Sequence, residues 1–228
     1  MRVWFCIPSK RPPEEANARL DEWRSMGYRL ALWRDPGDPV IKCDMLLTGP
    51  YRGYHVAVNA LVREVMARDA SACWLVTGGD DMSPDPNHPP EQIAAECSEH
   101  FGGTYGVMQP VGDRFGAVRS ICGSPWMGRE FCRRIYGGKG PFFEGYYHMW
   151  GDEEMCEITK KLGILWQRPD LVHYHHHGAR EKGLRKPMPH WMRVANDAYM
   201  TYRPLFLKRK RAGWPGYEPL PASSDGQD

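Results

Sequence analysis

The first half of the chain alternates short apolar runs with stretches of helical periodicity. Three apolar runs are typical of buried strands because proline, glycine or charged residues close each of them: residues 3–7, 28–33 and 73–76. Three further stretches place apolar side chains on one helical face: residues 14–26, 54–67 and 90–100. This alternation predicts a parallel sheet covered by helices.

The second half has a weaker pattern. Its predicted strands are residues 105–111, 120–122 and 171–177, and its predicted helices are residues 130–136, 152–162 and 191–202, followed by a loose tail. Residues 137–151 are rich in glycine and aromatic side chains and are predicted to form a loop. We therefore expect one α/β domain over residues 1–180, with a mostly parallel central sheet flanked by helices. A basic, proline-rich C-terminal extension over residues 181–228 would follow, its tail partly disordered.

Composition narrows the functional class only slightly. The chain has 228 residues, of which 42% are hydrophobic and 25% charged, as in ordinary globular proteins. Its net charge of +2 indicates no global field for nucleic acid. Lys208, Arg209, Lys210 and Arg211 form one basic run. That run is either a solvated segment or a contact to phosphates or anionic lipid.

The spacing of the cysteines and the length of the apolar segments indicate the cellular compartment of the protein. The seven cysteines are widely spaced and form no C-x-x-C pair, which predicts neither a disulfide framework nor a zinc ribbon and suits a reducing compartment. The first apolar run is only about five residues long, too short for a signal sequence. No later stretch reaches membrane length. We expect a cytoplasmic protein without a membrane partner.

Two adjacent acids follow the third predicted strand. Asp80 and Asp81 come after Gly78 and Gly79, at a position where parallel sheets bind ligands. Like charges this close repel each other unless a cation lies between them, and a hard divalent cation suits carboxylates. An acidic turn or helix cap explains the same residues equally well.

Two further clusters favour a site. Asp152, Glu153 and Glu154 begin a predicted helix, where acids also complement the helix dipole. The predicted strand 171–177 ends in histidines, including His175 and His177. A single histidine is more often a packing residue, whereas a histidine cluster in a chain with an acid pair makes metal ligation an equal alternative.

In order and spacing, these motifs resemble those of the GT-A glycosyltransferases, especially the inverting family 2, over about residues 3–178. Residues 79–84 resemble the D-x-D metal motif, with Asp81 in the second acidic place and Gly79 in the first. Either Asp80 compensates for the missing acid or the metal binds more weakly. Asp152 lies eleven residues before Gly163, the interval between that family's catalytic Asp and a helix-ending Gly. Where the family has a Glu before this Asp, this chain has Gly151, so Glu153 or Glu154 would supply that carboxylate.

The resemblance also implies a donor half over residues 1–100 and an acceptor half over residues 101–180. The cofactor-binding residues would be those of the first loop together with an acid against the base or ribose, a helix residue bordering the nucleotide and the first acid of the pair: Pro8, Ser9, Arg11, Asp35, Asn59 and Asp80. The late metal-binding histidine would be His175 or His177.

The implied function is a Mn²⁺- or Mg²⁺-dependent hexosyltransferase that uses a nucleotide-diphosphate sugar, most commonly a UDP-sugar, and inverts the anomeric centre. Asp152 would act as the base. The acceptor would be a hydroxymethylated DNA base, as in phage-type enzymes of a host cytoplasm, or a carbohydrate or protein hydroxyl. Aromatic residues of the loop 137–151 could stack on a sugar or a nucleobase, or simply pack together. A metal-dependent nuclease or hydrolase and a non-catalytic nucleotide-sugar-binding protein remain the alternatives.

Overall fold

The computed structural model describes residues 1–114, 118–176 and 190–221. Helices in these ranges are α1 (Pro13–Ser25), α2 (Tyr54–Arg68), α3 (Pro90–Phe101), α4 (Arg129–Arg134), α5 (Gly151–Lys161) and α6 (His190–Arg211). Strands are β1 (Arg2–Pro8), β2 (Arg29–Arg34), β3 (Met45–Thr48), β4 (Ala72–Val76), β5 (Met82–Ser83), β6 (Val107–Pro110), β7 (Trp126–Gly128), β8 (Leu165–Arg168) and β9 (Tyr174–His175).

Seven of these strands form one sheet in the order β3-β2-β1-β4-β7-β6-β8. Within this sheet, β7 runs antiparallel to both of its neighbours, and the other described pairs are parallel. The strands β5 and β9 form a separate antiparallel pair beyond the end of β4. The prediction of an α/β fold with a mostly parallel sheet flanked by helices is therefore confirmed.

Alternation along the strands divides the core into two layers. In β1, Trp4 and Cys6 point to the layer of α2, α4, α5 and α6, whereas Phe5 and Ile7 point to the layer of α1 and α3. Successive strand side chains leave the sheet on opposite faces, so one apolar run supplies both layers. Because β1 pairs with β2 and β4 in parallel, the carboxyl ends of these three strands lie at the same edge of the sheet.

Four strands were not predicted, and one predicted strand does not form. The strands β5 and β7 have two and three residues, too few for any periodicity, and β3 and β8 have four each. Residues 120–122, predicted as a strand, are turn and irregular backbone. Pairing with neighbours in the sheet decides such short segments, and a local pattern cannot reveal it.

The C-terminal helix extends further than its apolar pattern indicates. α6 continues to Arg211, beyond the predicted end at residue 202, and it contains Pro204. Phe206 and the following Trp214 are buried against the layer of α2, α4 and α5. Packing therefore keeps this segment helical and against the domain. Within the described residues, no helix has the length and apolar character needed to cross a bilayer.

Candidate active site at the carboxyl edge of the sheet

The loops that follow β1 and β4 meet through Asp80. The hydroxyl of Ser9 donates a 2.8 Å hydrogen bond to Asp80 Oδ2. Arg11 Nε lies 2.9 Å from Asp80 Oδ1 and forms an ion pair with it. Both carboxylate oxygens of Asp80 are thus engaged by the first loop. Asp80 ties the two loops together in this arrangement, and it is poorly placed to replace the missing first acid of a metal motif.

The buried side chain of Arg34 holds the backbone of the loop that follows β1. Arg34, the last residue of β2, donates from Nη1 to the carbonyl oxygens of Ser9 and Arg11, both at 3.1 Å. The next residue, Asp35, accepts the backbone N–H of Tyr51 at 2.9 Å and pairs with Lys10 at 3.2 Å. Sequence reasoning missed Arg34, although a charged residue closing an apolar run was a visible signal. Pro8 ends β1 directly before this loop.

Asp81 lies next to His175, a residue of β9 that is remote in sequence. His175 Nε2 lies 3.2 Å from Asp81 Oδ1, and both side chains are largely shielded from solvent. Pairing of β5 with β9 brings them together, because Met82 lies opposite His175 and His176 N donates to Asp81 O. Burial alone would raise the pKa of Asp81, but the hydrogen bond and charge of His175 outweigh it and lower that pKa below its usual value.

This pair has the spacing of two ligands on one cation. Two donors about 2.1 Å from an octahedral cation and 90° apart lie about 3 Å from each other. A carboxylate and an imidazole together suit Mn²⁺ better than Ca²⁺. Within the described residues, no group of three or more His, Cys, Asp or Glu side chains is arranged around one point. His177, the other predicted ligand, lies outside the described residues.

Asp152 and Glu153 occupy the first turn of α5, and both side chains are partly exposed. Burial raises the pKa of Glu153 to about 9, and the hydrogen bond and charge of Asp152 add to that rise. At neutral pH, Glu153 is therefore protonated and donates to its neighbour. A carboxyl group that stays protonated at neutral pH can serve as a proton donor beside a second carboxyl group.

The protonated state of Glu153 predicts a pH-dependent stability. Free glutamate ionises near pH 4.3, whereas Glu153 in the fold ionises at about 9. Between these values the unfolded state releases a proton that the folded state keeps, so this residue lowers stability as pH rises. We expect Glu153→Gln to raise the Tm at pH 8 and to leave it unchanged at pH 4, measured by calorimetry.

The exposed first-turn residue Glu14 of α1 offers a matched control. Glu14→Gln should not reproduce a Tm gain that grows between pH 4 and pH 8. An equal gain for Glu153→Gln at both pH values would show that Glu153 is ionised in the fold.

Glu154 points into the core, away from its two acidic neighbours. Its side chain is completely buried and accepts hydrogen bonds from Tyr136 and Tyr146, both at 2.7 Å. Arg209 of α6 approaches the same carboxylate with Nε at 2.9 Å and Nη2 at 2.6 Å. With both oxygens engaged and no exposed surface, Glu154 has a packing role in this structure. The catalytic role predicted for Glu154 stays a prediction.

Asn59 also serves the interior. It lies fully buried in α2 and exchanges hydrogen bonds with the backbone of Phe142, at 2.8 and 3.0 Å. Gly140 lies against the same side chain, where a Cβ atom would collide with it. Asn59 therefore holds the loop 137–151 to α2, and its contact with a nucleotide stays a prediction.

Tyr54 connects the loop that follows β4 to the segment that leads into α5. Its hydroxyl contacts Thr77 Oγ1 at 2.7 Å and donates to Gly78 O at 3.1 Å. Its backbone N–H donates to Tyr147 O at 2.7 Å, five residues before Asp152. Burial raises the pKa of the Tyr54 hydroxyl, and the negative charge of Asp152 contributes to that rise. Sequence reasoning missed Tyr54, because nothing in a helical pattern marks the first residue as a bridge.

No protein-family model and no curated protein matches the chain. Solved structures that are similar to it include three with a TM-score of 0.49 each. The catalytic domain of Drosophila beta1,4-galactosyltransferase 7 in complex with xylobiose is 10% identical, over 86% of this chain and 79% of that one. A mutant of the same enzyme in complex with manganese, UDP-Gal and xylobiose is 10% identical, over 85% and 79%. A197 from STIV is 15% identical, over 78% and 86%. At these identities the similarities concern the fold alone.

Proposed function

We propose that the chain is a metal-dependent glycosyltransferase that moves a sugar from a nucleotide-diphosphate sugar to an acceptor hydroxyl with inversion. The observation that carries the proposal is the Asp81–His175 pair, 3.2 Å apart beside the loop of Ser9 and Arg11. Two side chains with the spacing of cation ligands thus lie next to a loop that carries a guanidinium and a hydroxyl group. A diphosphate bound at this edge could contact the cation held by the pair and the donors of the loop.

The first loop binds the donor nucleotide in this proposal. Ser9 and Arg11 are held at the edge by Asp80 and by the buried guanidinium of Arg34. Arg11 remains partly exposed and presents N–H groups suited to phosphate oxygens. Asp35, fixed by Tyr51 and Lys10, lies after the neighbouring strand, where a carboxylate accepts from a base or ribose. Pro8 sets the end of the strand that delivers this loop.

Asp81 and His175 would hold the divalent cation. When bound, Mn²⁺ or Mg²⁺ supplies Lewis-acid stabilisation of the negative charge that grows on the leaving diphosphate. Asp81 stays ionised as a ligand, because its pKa lies below the usual value. His175 is oriented by strand pairing, which reduces the conformational freedom lost when the cation binds.

Asp152 would accept the proton of the acceptor hydroxyl. The first turn of α5 fixes its backbone, and Glu153, protonated at neutral pH, donates to it. A base positioned in this way contributes about 10²–10⁴-fold to the rate. In-line attack from the face opposite the diphosphate inverts the anomeric centre. Tyr54 would keep the Asp152 segment and the cation loop at a constant separation.

We propose a carbohydrate hydroxyl as the acceptor. The basic run that favoured a nucleic acid is partly neutralised, because Arg209 pairs with the buried Glu154 and Lys210 pairs with Glu157. Tyr51 and Tyr147, 5.7 Å apart with crossed rings, are half-buried near the proposed donor loop and offer an aromatic surface to a sugar. A modified DNA base is the competing outcome. Its binding would weaken steeply with rising salt.

Loss of the carboxylate of Asp81 tests the cation site. We expect Asp81→Asn to weaken donor binding in the presence of Mn²⁺ by about 10–100-fold, because a charged ligand of the cation becomes neutral. Titration calorimetry with a UDP-sugar, with and without Mn²⁺, measures this change. Affinity measured without the cation should change much less.

Asp21→Asn is a control for this substitution, since Asp21 is exposed on α1, pairs with Arg24 and lies outside the proposed site. Equal Mn²⁺ dependence in wild type and Asp81→Asn would exclude this cation site. A panel of nucleotide sugars separates the rival functions. A transferase releases nucleotide slowly with Mn²⁺, a nuclease cuts DNA and ignores sugars, and a binding protein is only stabilised thermally.

A further inference from the structure

Trp150 has an unusual backbone conformation at the entrance to α5. Its φ of 78° and ψ of −16° place it in the left-handed region, which bulky side chains rarely adopt. It directly precedes the turn that carries Asp152 and Glu153. Such a conformation is strained for a residue with a bulky side chain, and it persists only where surrounding contacts enforce it.

α6 supplies those contacts. The indole ring of Trp150 is stacked by Tyr199 at 4.2 Å and by Phe206 at 4.4 Å. Its Nε1 donates a 2.8 Å hydrogen bond to the carbonyl oxygen of Tyr199. The side chain is only 7% exposed. Ring, backbone and hydrogen bond together therefore define the orientation of Trp150 relative to α6.

Other contacts hold the same turn from its remaining sides. Gly151 lies against the buried ring of His55, where a Cβ atom would collide with Nε2. The carbonyl oxygen of Asp152 accepts the N–H of Cys122 at 3.0 Å, and Glu154 is anchored in the core by Arg209. These anchors act on neighbours or on the backbone, and none of them engages the carboxyl group of Asp152 or Glu153.

We infer that Trp150 is a positioning residue for the carboxyl pair, and that α6 belongs to the active-site structure through the Tyr199–Trp150–Phe206 stack. If Trp150 relaxed to a right-handed conformation, the peptide that begins α5 would rotate and Asp152 would move with it. A displacement of about 1 Å at a reacting group can cost about 100-fold in rate. The inference rests on the proposed role of Asp152 as the base.

Steady-state kinetics on two buried tryptophans test this role. Trp150→Leu should lower kcat by about 10–100-fold and change the donor KM by less than about 2-fold, because the donor loop is untouched. The control is Trp74→Leu, at a completely buried tryptophan of β4 in the opposite core layer. It should lower the Tm without a comparable loss of kcat. Equal kcat losses in the two variants, measured well below each Tm, would overturn the inference.

Two substitutions at partly exposed residues of α6 test the same inference if Trp150→Leu does not fold. Tyr199 is 38% exposed and the adjacent Met200 is 66% exposed, so truncating either one should be tolerated. Tyr199→Ala should reduce kcat several-fold and Met200→Ala should not. Trp150→Phe, which keeps a ring in the stack, should retain more of the kcat than Trp150→Leu. No difference between Tyr199→Ala and Met200→Ala would contradict the inference.

A structural readout separates this inference from the proposed function. Carboxyl NMR should show Glu153 of the wild type and of Trp74→Leu titrating at about pH 9. In Trp150→Leu its pKa should fall towards the ordinary glutamate value, because the turn that buries Glu153 and holds it beside Asp152 is no longer fixed. A chain with no transferase activity but with this shift would refute the proposed function and keep the positioning role. An unchanged Glu153 titration in Trp150→Leu would refute the positioning role itself.

Discussion

Asp152→Asn is expected to lower kcat for sugar transfer by about 10²–10⁴-fold, the contribution of a positioned general base. The amide is isosteric with the carboxylate but cannot accept the acceptor's proton. Donor affinity should be nearly unchanged, since Ser9, Arg11 and the Asp81–His175 pair lie on other loops. Initial rates with a nucleotide sugar, together with a calorimetric Kd, measure both quantities.

Asp21→Asn is the control for this substitution. Asp21 is exposed on α1 and pairs with Arg24, so its loss should not change kcat. Normal transfer by Asp152→Asn would show that another group takes the proton. Glu153→Gln, which preserves a hydrogen-bond donor next to Asp152, should retain much more activity than Asp152→Asn.

Arg209→Met should destabilise the fold by about 3–5 kcal/mol, the usual cost of leaving one charge of a buried pair uncompensated. Glu154 would then keep only the hydroxyls of Tyr136 and Tyr146 as partners in a completely buried position. Domains have a total unfolding free energy of about 5–15 kcal/mol, so this is a large fraction. Urea denaturation followed by circular dichroism measures it.

Two variants distinguish a buried unpaired charge from general damage to α6. Lys210→Met removes an exposed pair with Glu157 in the same turn and should cost less than about 1 kcal/mol. Adding Glu154→Gln to Arg209→Met should recover part of the loss, because a neutral amide replaces the uncompensated carboxylate and still accepts from the tyrosines. A loss of less than about 1 kcal/mol in Arg209→Met would mean that Glu154 is neutral or hydrated.

Several elements of the fold were predictable from local pattern alone. β1, β2 and β4 are continuous apolar runs, and α1, α2, α3 and α5 have apolar faces with clear ends, so each was located within a few residues. β3, β5, β7 and β8 were missed, because segments of two to four residues show no periodicity. The last part of α6 was also missed. This part is helical because Phe206 packs in the core and Arg209 forms an ion pair with Glu154.

In the candidate site, too, the local pattern predicted some features and tertiary packing set the others. Adjacent acids in a helix point about 100° apart, so residues 152–154 could not be ranked by their spacing in the sequence. The structure directs Glu154 into the core and leaves Asp152 and Glu153 partly exposed. The role of His177 stays a prediction, since that residue lies outside the described part of the chain. Tyr54, Arg34 and the stack around Trp150 join segments remote in sequence, and no local signal ties one segment to the other.

By itself, the sequence determined the α/β class, the carboxylates at the end of β4 and at the start of α5, and the histidines near residue 175. These follow from residue type and short-range periodicity, which are local properties. Only the tertiary structure decided that Asp80 binds the first loop, that Asp81 faces His175, and that α6 holds the turn of Asp152. Each of these contacts depends on how strands and helices remote along the chain pack together, and that packing is a property of the whole domain.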